Sequence, residues 1–103
     1  FVKGVKAEVF HRGIRPPMQP TEKTLKLWEK VEKIGQQLDI KMDWIATGGG
    51  SDANFTSGMG VSTIDGLGPA GGNPHSVDEY LDISAIEPRF KLLMELIKIS
   101  KDF

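Results

Sequence analysis

Apolar residues recur every three or four positions in two stretches of this chain, and charged residues fill many of the positions between them. In the first stretch, 21–38, the recurring residues are Leu25, Trp28, Val31, Ile34 and Leu38. In the second stretch, 84–101, they are Ile86, Phe90, Leu93, Met94 and Ile97. Such spacing places apolar side chains on one face of a helix. The pattern therefore predicts two amphipathic helices, each with these residues as its buried face.

Both predicted helices carry start signals. Thr21 follows Pro20 and suits an N-cap, because its hydroxyl can accept a hydrogen bond from the first turn. Ser84 is followed three residues later by Glu87, the spacing of a capping box, and Pro88 falls within the first turn. We therefore expect the helices to begin near positions 21 and 84.

Three further segments alternate between apolar and polar residues or are rich in β-branched residues, which indicates strands. They are 2–10, 40–47 and 61–65. The three prolines of 13–20 exclude a helix there and predict a segment that crosses between two structural parts. A short helix over 51–58 and a glycine-rich loop over 66–74 complete the order. This order favours an α/β fold in which helices pack on a small sheet.

Length and charge narrow the function. The chain has 103 residues, enough for one domain with a modest core. Its net charge is −1 and its basic residues are spread along the sequence, so we expect no nucleic-acid partner. No apolar run is long enough to span a bilayer, so no membrane partner is expected either. Because the chain starts at Phe1, we expect a piece of a longer protein, with a cytoplasmic location favoured and export left open.

A run of glycines supplies the first candidate for chemistry. Gly48, Gly49 and Gly50 lead directly into Ser51 and Asp52. Backbone amides without side chains at a helix start are a suitable place for an anion. The alternative is that the glycines only allow a tight turn between a strand and a helix. One or two glycines suffice for such a turn, so the third favours the close approach of another group.

Two further residues have side chains that suit a binding site. Arg15 lies beside Pro16, which restricts the backbone, and its planar guanidinium can hold a carboxylate; the alternative is an ordinary surface arginine. His75 follows the glycine-rich loop, where a neutral imidazole can bind a metal, although exposed loop histidines commonly have no such role. Glu79 ends a capping-box pattern that starts at Ser76, so it can simply close a helical turn.

The stretch TGGGSDANFTSGMGVSTIDGLGPAGGNPHSVDEYLDISAIEPR, residues 47–89, resembles the C-terminal end of the dinuclear zinc metallopeptidase family. That family includes carboxypeptidase G, acetylornithine deacetylase, succinyl-diaminopimelate desuccinylase and the aminoacylases. The resemblance extends over nearly the whole chain, and the glutamate carboxypeptidases are the most similar subgroup. It implies part of a zinc-peptidase catalytic domain: 1–17 is the end of a lid domain with its return segment, and 18–103 is the C-terminal part of the catalytic domain.

The resemblance also implies roles for individual residues. His75 corresponds to a ligand of one of the two zinc ions in the intact active site. Arg15 corresponds to the arginine that holds the free carboxylate of the substrate. The turn Gly48–Ser51 corresponds to the turn that lies against the same end of the substrate. Asp52 and Glu79 are expected to hold these groups in place without contacting the substrate themselves.

The implied reaction is hydrolysis of an amide bond next to a free amino-acid carboxylate, in a peptide or another small molecule, by a zinc enzyme that is a homodimer when intact. The chain contains neither a His-x-Asp pair nor a Glu-Glu dipeptide, which supply metal ligands and the general base in the family. We therefore predict a C-terminal fragment that has no catalytic residue and is inactive alone. Three alternatives stay open: an N-acyl amino acid deacylase, a non-catalytic module that binds a small carboxylate or phosphate, and an interaction domain of the same fold.

Overall fold

A computed structural model describes residues 2–102 and gives the chain three helices and a two-stranded sheet. In chain order the elements are α1 (Glu22–Gln37), α2 (Ala53–Gly58), β1 (Gly71–Gly72), β2 (Tyr80–Leu81) and α3 (Ile86–Ile99), with 3₁₀ turns at Ile83–Ala85 and Ser100–Asp102. The two strands are antiparallel, with Gly71 opposite Leu81 and Gly72 opposite Tyr80. The predicted α/β class is thus confirmed. None of the helices within residues 2–102 is long and apolar enough to cross a membrane.

The core lies between α1 and α3. Its buried residues are Val31 and Ile34 from α1 and Leu92 and Leu96 from α3. Partly buried apolar residues surround them: Trp28, Leu38, Ile40, Met42, Ile64, Leu67 and Ile99. α1 therefore buries most of its predicted face, while Leu25 at the start of that face stays 42% exposed.

α3 buries a different face from the predicted one. Leu92 and Leu96 are inside, whereas the predicted residues are 38% to 65% exposed: Ile86, Phe90, Leu93, Met94 and Ile97. The predicted face was wrong because α3 is apolar on more than one side, so its periodicity fits two faces. Only the side that α1 contacts becomes buried.

The starts of the two long helices differ from each other in how well they were predicted. Thr21 is the N-cap of α1, and its Oγ1 accepts a hydrogen bond of 3.2 Å from the amide of Thr24. The capping box of Ser84 and Glu87 was wrong. Asp82 instead caps the 3₁₀ turn that precedes α3, because its Oδ1 accepts hydrogen bonds from the amide and the hydroxyl of Ser84 at 3.0 and 2.6 Å, whereas α3 itself begins without a side-chain cap. Ser84 therefore lies inside this 3₁₀ turn, where its amide is the group that is capped.

α1 ends in a Schellman motif, in which two amides beyond the helix bond back to its last carbonyls. The amide of Asp39 donates to the carbonyl of Gln36 at 3.2 Å, and the amide of Ile40 donates to that of Gly35 at 2.8 Å. Asp39 adopts a φ of 56°, in the left-handed region that glycine usually supplies at this position. The turn brings the segment after α1 back onto the helix, where the side chain of Met42 packs against the bare face of Gly35.

The three predicted strands, 2–10, 40–47 and 61–65, do not form: within residues 2–102 the only paired strands are β1 and β2. These segments have strand-like sequences, but a strand exists only when a neighbour pairs with its amides and carbonyls. Among the described residues no such neighbour is in place. Several apolar side chains of these segments are accordingly exposed, as with Val9 at 94% and Ile45 at 80%, while Ile40, Met42 and Ile64 pack against the α1–α3 core.

The chain is also extended for its length. Its radius of gyration is 18.2 Å, whereas a compact domain of this size has a radius of gyration of about 13 Å. Such an open shape leaves little of the apolar surface buried. The α1–α3 core is therefore the main apolar interior of the described residues.

Candidate functional site

Arg15 and the glycine turn lie against each other in the structure. If Gly50 carried a Cβ, that atom would be 3.1 Å from Nη1 and 3.2 Å from Cδ of Arg15. Contacts of this length are tighter than ordinary van der Waals packing, so the missing side chain at Gly50 is what admits the arginine. The structure thus brings together two groups that the sequence analysis placed at the same end of a substrate.

Two further side chains contact the guanidinium of Arg15. Its Cζ lies 5.3 Å from the ring centroid of Phe55, a cation–π contact. Its Nη2 lies 3.8 Å from Oδ1 of Asp52, a long ion pair whose arginine and aspartate side chains are 44% and 98% exposed. An exposed pair at this distance contributes little energy. The guanidinium is therefore oriented by its neighbours and still accessible to an anion from solvent.

Asn54 joins the arginine segment to the glycine turn. Its Nδ2 donates to the carbonyl of Pro16 at 2.8 Å, and its Oδ1 accepts from the amide of Ser51, also at 2.8 Å. Both bonds are partly buried, and the first joins residues 38 positions apart. Asn54 is not among the site residues predicted from the sequence. An asparagine in the first turn of a short helix after a glycine run is a weak signal, since the same residue also favours turns.

Some amides of the glycine turn have partners within the chain. The amide of Gly49 donates to Oγ1 of Thr47 at 3.2 Å, and that of Ser51 to Asn54. Over the residues that the structure describes, the amides of Gly48 and Gly50 donate no hydrogen bond. These two amides are free to bind a group that lies against the turn.

His75 lies in the hairpin loop that connects β1 and β2, and it is exposed. The loop is held by Ser76, whose Oγ donates to the carbonyl of Asn73 at 2.8 Å and accepts from the amide of Asp78 at 3.2 Å. Both Asn73 and His75 adopt left-handed φ values, 53° and 64°. A histidine at positive φ is uncommon, and here this backbone conformation forms part of the tight turn of the loop.

Glu79 lies at the end of the same loop. Residues 76–79 form a turn instead of the start of a helix, because the Glu79 amide bonds to the Ser76 carbonyl at 3.2 Å and the chain then enters β2. Glu79 lines a surface pocket of ≈ 250 Å³ beside the hairpin, together with Pro74 and Tyr80. Its predicted supporting role stays a prediction, as does that of Asp52.

The described residues do not fit a complete metal centre. No group of three or more His, Cys, Asp or Glu side chains in 2–102 is arranged to hold a metal ion. A protein zinc site takes three or four such ligands, so His75 could supply one at most. Within the same residues no hydrogen bond or ion pair connects His75 with Arg15 or with the glycine turn.

Among known protein families, the model of peptidase family M20/M25/M40 matches this chain over residues 4–99. The chain belongs to this peptidase family. The match confirms the family-level resemblance seen in 47–89, and it makes the chain part of a hydrolase family whose members are generally metal-dependent. It does not distinguish one M20/M25/M40 activity from another. Comparisons with curated proteins and with solved structures gave no significant match.

Proposed function

We propose that this chain forms the carboxylate-binding part of an M20 hydrolase similar to glutamate carboxypeptidase, which cleaves an amide bond next to a free amino-acid carboxylate. The observation that carries the proposal is the approach of the Arg15 guanidinium to Gly50. The same turn contains the amides of Gly48 and Gly50, which donate no hydrogen bond among the described residues.

The chemistry of this corner suits one end of a small substrate. A guanidinium can hold a carboxylate through two parallel hydrogen bonds, which fixes both its position and its orientation. The free amides of Gly48 and Gly50 are neutral donors that add to this contact without adding charge. The nitrogen of the amide bond to be cleaved is attached to the carbon that carries the carboxylate. Holding that carboxylate therefore also fixes the position of the amide bond relative to the rest of the active site.

His75 is proposed as one ligand of the zinc centre that the resemblance implies. Since residues 2–102 do not assemble a metal site alone, we assign no hydrolytic step to this chain and propose that other polypeptide completes the centre. The chain by itself is then inactive. Titration with zinc should detect only weak binding, and a nanomolar site would contradict this part of the proposal.

The choice of a carboxypeptidase rests on the resemblance in 47–89. Arg15 would meet the end that peptides and N-acyl amino acids share, so the contact itself supports the substrate class and not the leaving group. A free carboxylate next to an amide is the common feature that the site would recognise.

The proposal is tested by titrating the chain with N-acetyl-L-glutamate while the backbone amide signals of Gly48–Ser51 are followed by NMR. We expect saturable shifts at these amides. Hydrogen bonds to a charged group are worth about 1.5–3 kcal/mol, so Arg15→Ala should weaken binding by about tenfold or more. Arg12→Ala, which removes an exposed arginine nearby in sequence, is the matched control and should bind as the wild type does. Unchanged affinity in Arg15→Ala would contradict the proposal.

A further inference from the structure

The side chain of Asn54 makes two hydrogen bonds of opposite sense to two separate segments. Its Nδ2 donates to the carbonyl of Pro16, and its Oδ1 accepts from the amide of Ser51, each at 2.8 Å. We propose that Asn54 is a positioning residue, which holds Arg15 at the glycine turn by fixing the backbone on both sides of the contact. Its effect on ligand affinity rests on the proposed function; its effect on Arg15 does not.

The bridge requires an amide side chain of this length. One atom must donate to a carbonyl and a second must accept from an amide, and the planar amide head of Asn or Gln carries both groups whatever the pH. A carboxylate of the same size could accept from Ser51 but could not donate to Pro16. An apolar residue of the same shape would leave both partly buried backbone groups without this partner, which is costly.

Pro16 is a suitable point from which to control Arg15. The proline ring fixes its own φ and restricts the backbone of the residue before it, which is Arg15. A second contact holds the same residue from the other end of α2, since a Cβ added at Gly58 would lie 2.6 Å from Cγ of Pro16. The first turn of α2 therefore fixes the carbonyl of Pro16, and its last residue packs against the ring.

Through these contacts with Pro16, α2 fixes the backbone position from which the Arg15 side chain extends. With its backbone held, the side chain extends past Gly50 to the ring of Phe55, 5.3 Å from Cζ. Without Asn54, the segment with the three prolines would lose its hydrogen bond to the turn. The long side chain of Arg15 would then sample more orientations, and a carboxylate would have to order it on binding.

The test compares Asn54→Ala and Asn54→Ser with the wild-type chain. The first readout needs no ligand: NOEs between the Arg15 side chain and the Phe55 ring, and the ring-current shift of the Arg15 Hδ and Hε signals. We expect both variants to lose these signals, since neither alanine nor the short serine side chain reaches the Pro16 carbonyl. Serine keeps an oxygen near the Ser51 amide, so it covers the case in which the alanine variant fails to fold.

The second readout is the affinity for N-acetyl-L-glutamate. Loss of one neutral hydrogen bond corresponds to about fivefold weaker binding, and we expect this in either Asn54 variant but no further loss when it is combined with Arg15→Ala. Asn73→Gly is the matched control: Asn73 also donates to a carbonyl, that of Asp78 at 3.4 Å, and glycine tolerates its φ of 53°. It should keep both the Arg15 signals and the affinity.

A purely structural role for Asn54 would lower the denaturation midpoint while the Arg15 signals and the affinity persisted, and that result would overturn the inference. If the wild type bound no carboxylate, the proposed function would fail. The Arg15–Phe55 signals would still decide whether Asn54 positions the arginine.

Discussion

The α1–α3 pair and the Arg15 site are held together in different ways. The helix pair buries Val31, Ile34, Leu92 and Leu96, and its contacts are apolar and shielded from solvent. The Arg15 site has no buried residue. Its segments are joined by a few hydrogen bonds, and Arg15 lies close to the turn because Gly50 has no side chain. The first region supplies stability, and the second holds polar groups accessible to solvent.

The difference means that the two regions can be altered separately. Burial of apolar area dominates folding free energy, so truncations in the helix pair should act on stability. Contacts at the half-exposed Arg15 contribute little to folding, so changes there should act on ligand affinity. Four substitutions or titrations test this separation, in order of decreasing expected effect.

Leu92→Ala should have the largest effect, because Leu92 is fully buried in the small core. Leucine-to-alanine changes in cores cost about 2–5 kcal/mol, and the loss should appear as a lower denaturant midpoint. Leu93→Ala, next in sequence and 38% exposed, is the control. We expect it to cost about 1 kcal/mol or less. Equal losses in the two variants would show that the α1–α3 interface is not the core.

Gly50→Ala should weaken carboxylate binding without weakening the fold. The added methyl would lie 3.1 Å from Nη1 of Arg15 and displace the guanidinium. We expect about tenfold weaker binding of N-acetyl-L-glutamate, equivalent to about 1.4 kcal/mol, measured by NMR titration. The φ of Gly50 is not left-handed, so alanine fits the backbone.

Gly68→Ala is the matched control for that change, since a Cβ there would meet no atom within 4 Å. Both alanine variants lose the same freedom in the unfolded chain, so they should share any small gain in stability. Only Gly50→Ala should lose affinity. Equal affinity in the two variants would separate Gly50 from the binding site.

Asp39→Gly should stabilise α1 by about 1 kcal/mol, because a residue with a Cβ is strained at left-handed φ and glycine is not. The φ of Asp39 is 56°. The denaturant midpoint should rise while the affinity for N-acetyl-L-glutamate stays the same. Asp39→Ala keeps the Cβ and serves as the control. A midpoint that falls in the glycine variant would contradict the Schellman geometry.

The smallest effect concerns pH. The hydrogen bond and charge of Lys91 hold the pKa of Glu87 below its ordinary value of 4.5. Because the pKa is depressed in the folded state, the pair stabilises α3 above pH 4.5 and the contribution is lost as the pH falls through the folded pKa. NMR titration of Glu87 should give a pKa that moves towards 4.5 in Lys91→Met or at high salt. An unchanged pKa in Lys91→Met would rule out this pair as the cause.

The sequence predicted the helices better than the sheet. Helical periodicity located α1 and α3, because each helix forms its hydrogen bonds within itself. The strands at 2–10, 40–47 and 61–65 depended on neighbours that the sequence pattern does not identify, and these neighbours are missing among the described residues. The buried face of α3 was also mispredicted, since periodicity does not tell which of two apolar faces meets a partner.

The site was predictable only in part. The resemblance in 47–89 and at Arg15 assigned the arginine and the glycine turn to one end of a substrate, and in the structure they are in contact. Asn54 was missed because its importance lies in a bond to Pro16, 38 residues away, and the local sequence gives only the weak signal of an asparagine near a turn. The role of His75 as a metal ligand stays a prediction, since its partners would have to come from outside the described residues.

The most direct test of the central claim compares N-acetyl-L-alanine with its primary amide, which differs only in replacing the carboxylate by a neutral group. Backbone amide shifts of Gly48–Ser51 should saturate with the acid and stay unchanged with the amide, and Arg15→Ala should abolish the difference. If both compounds shifted these amides equally, or neither did, Arg15 and the glycine turn would not form a carboxylate site.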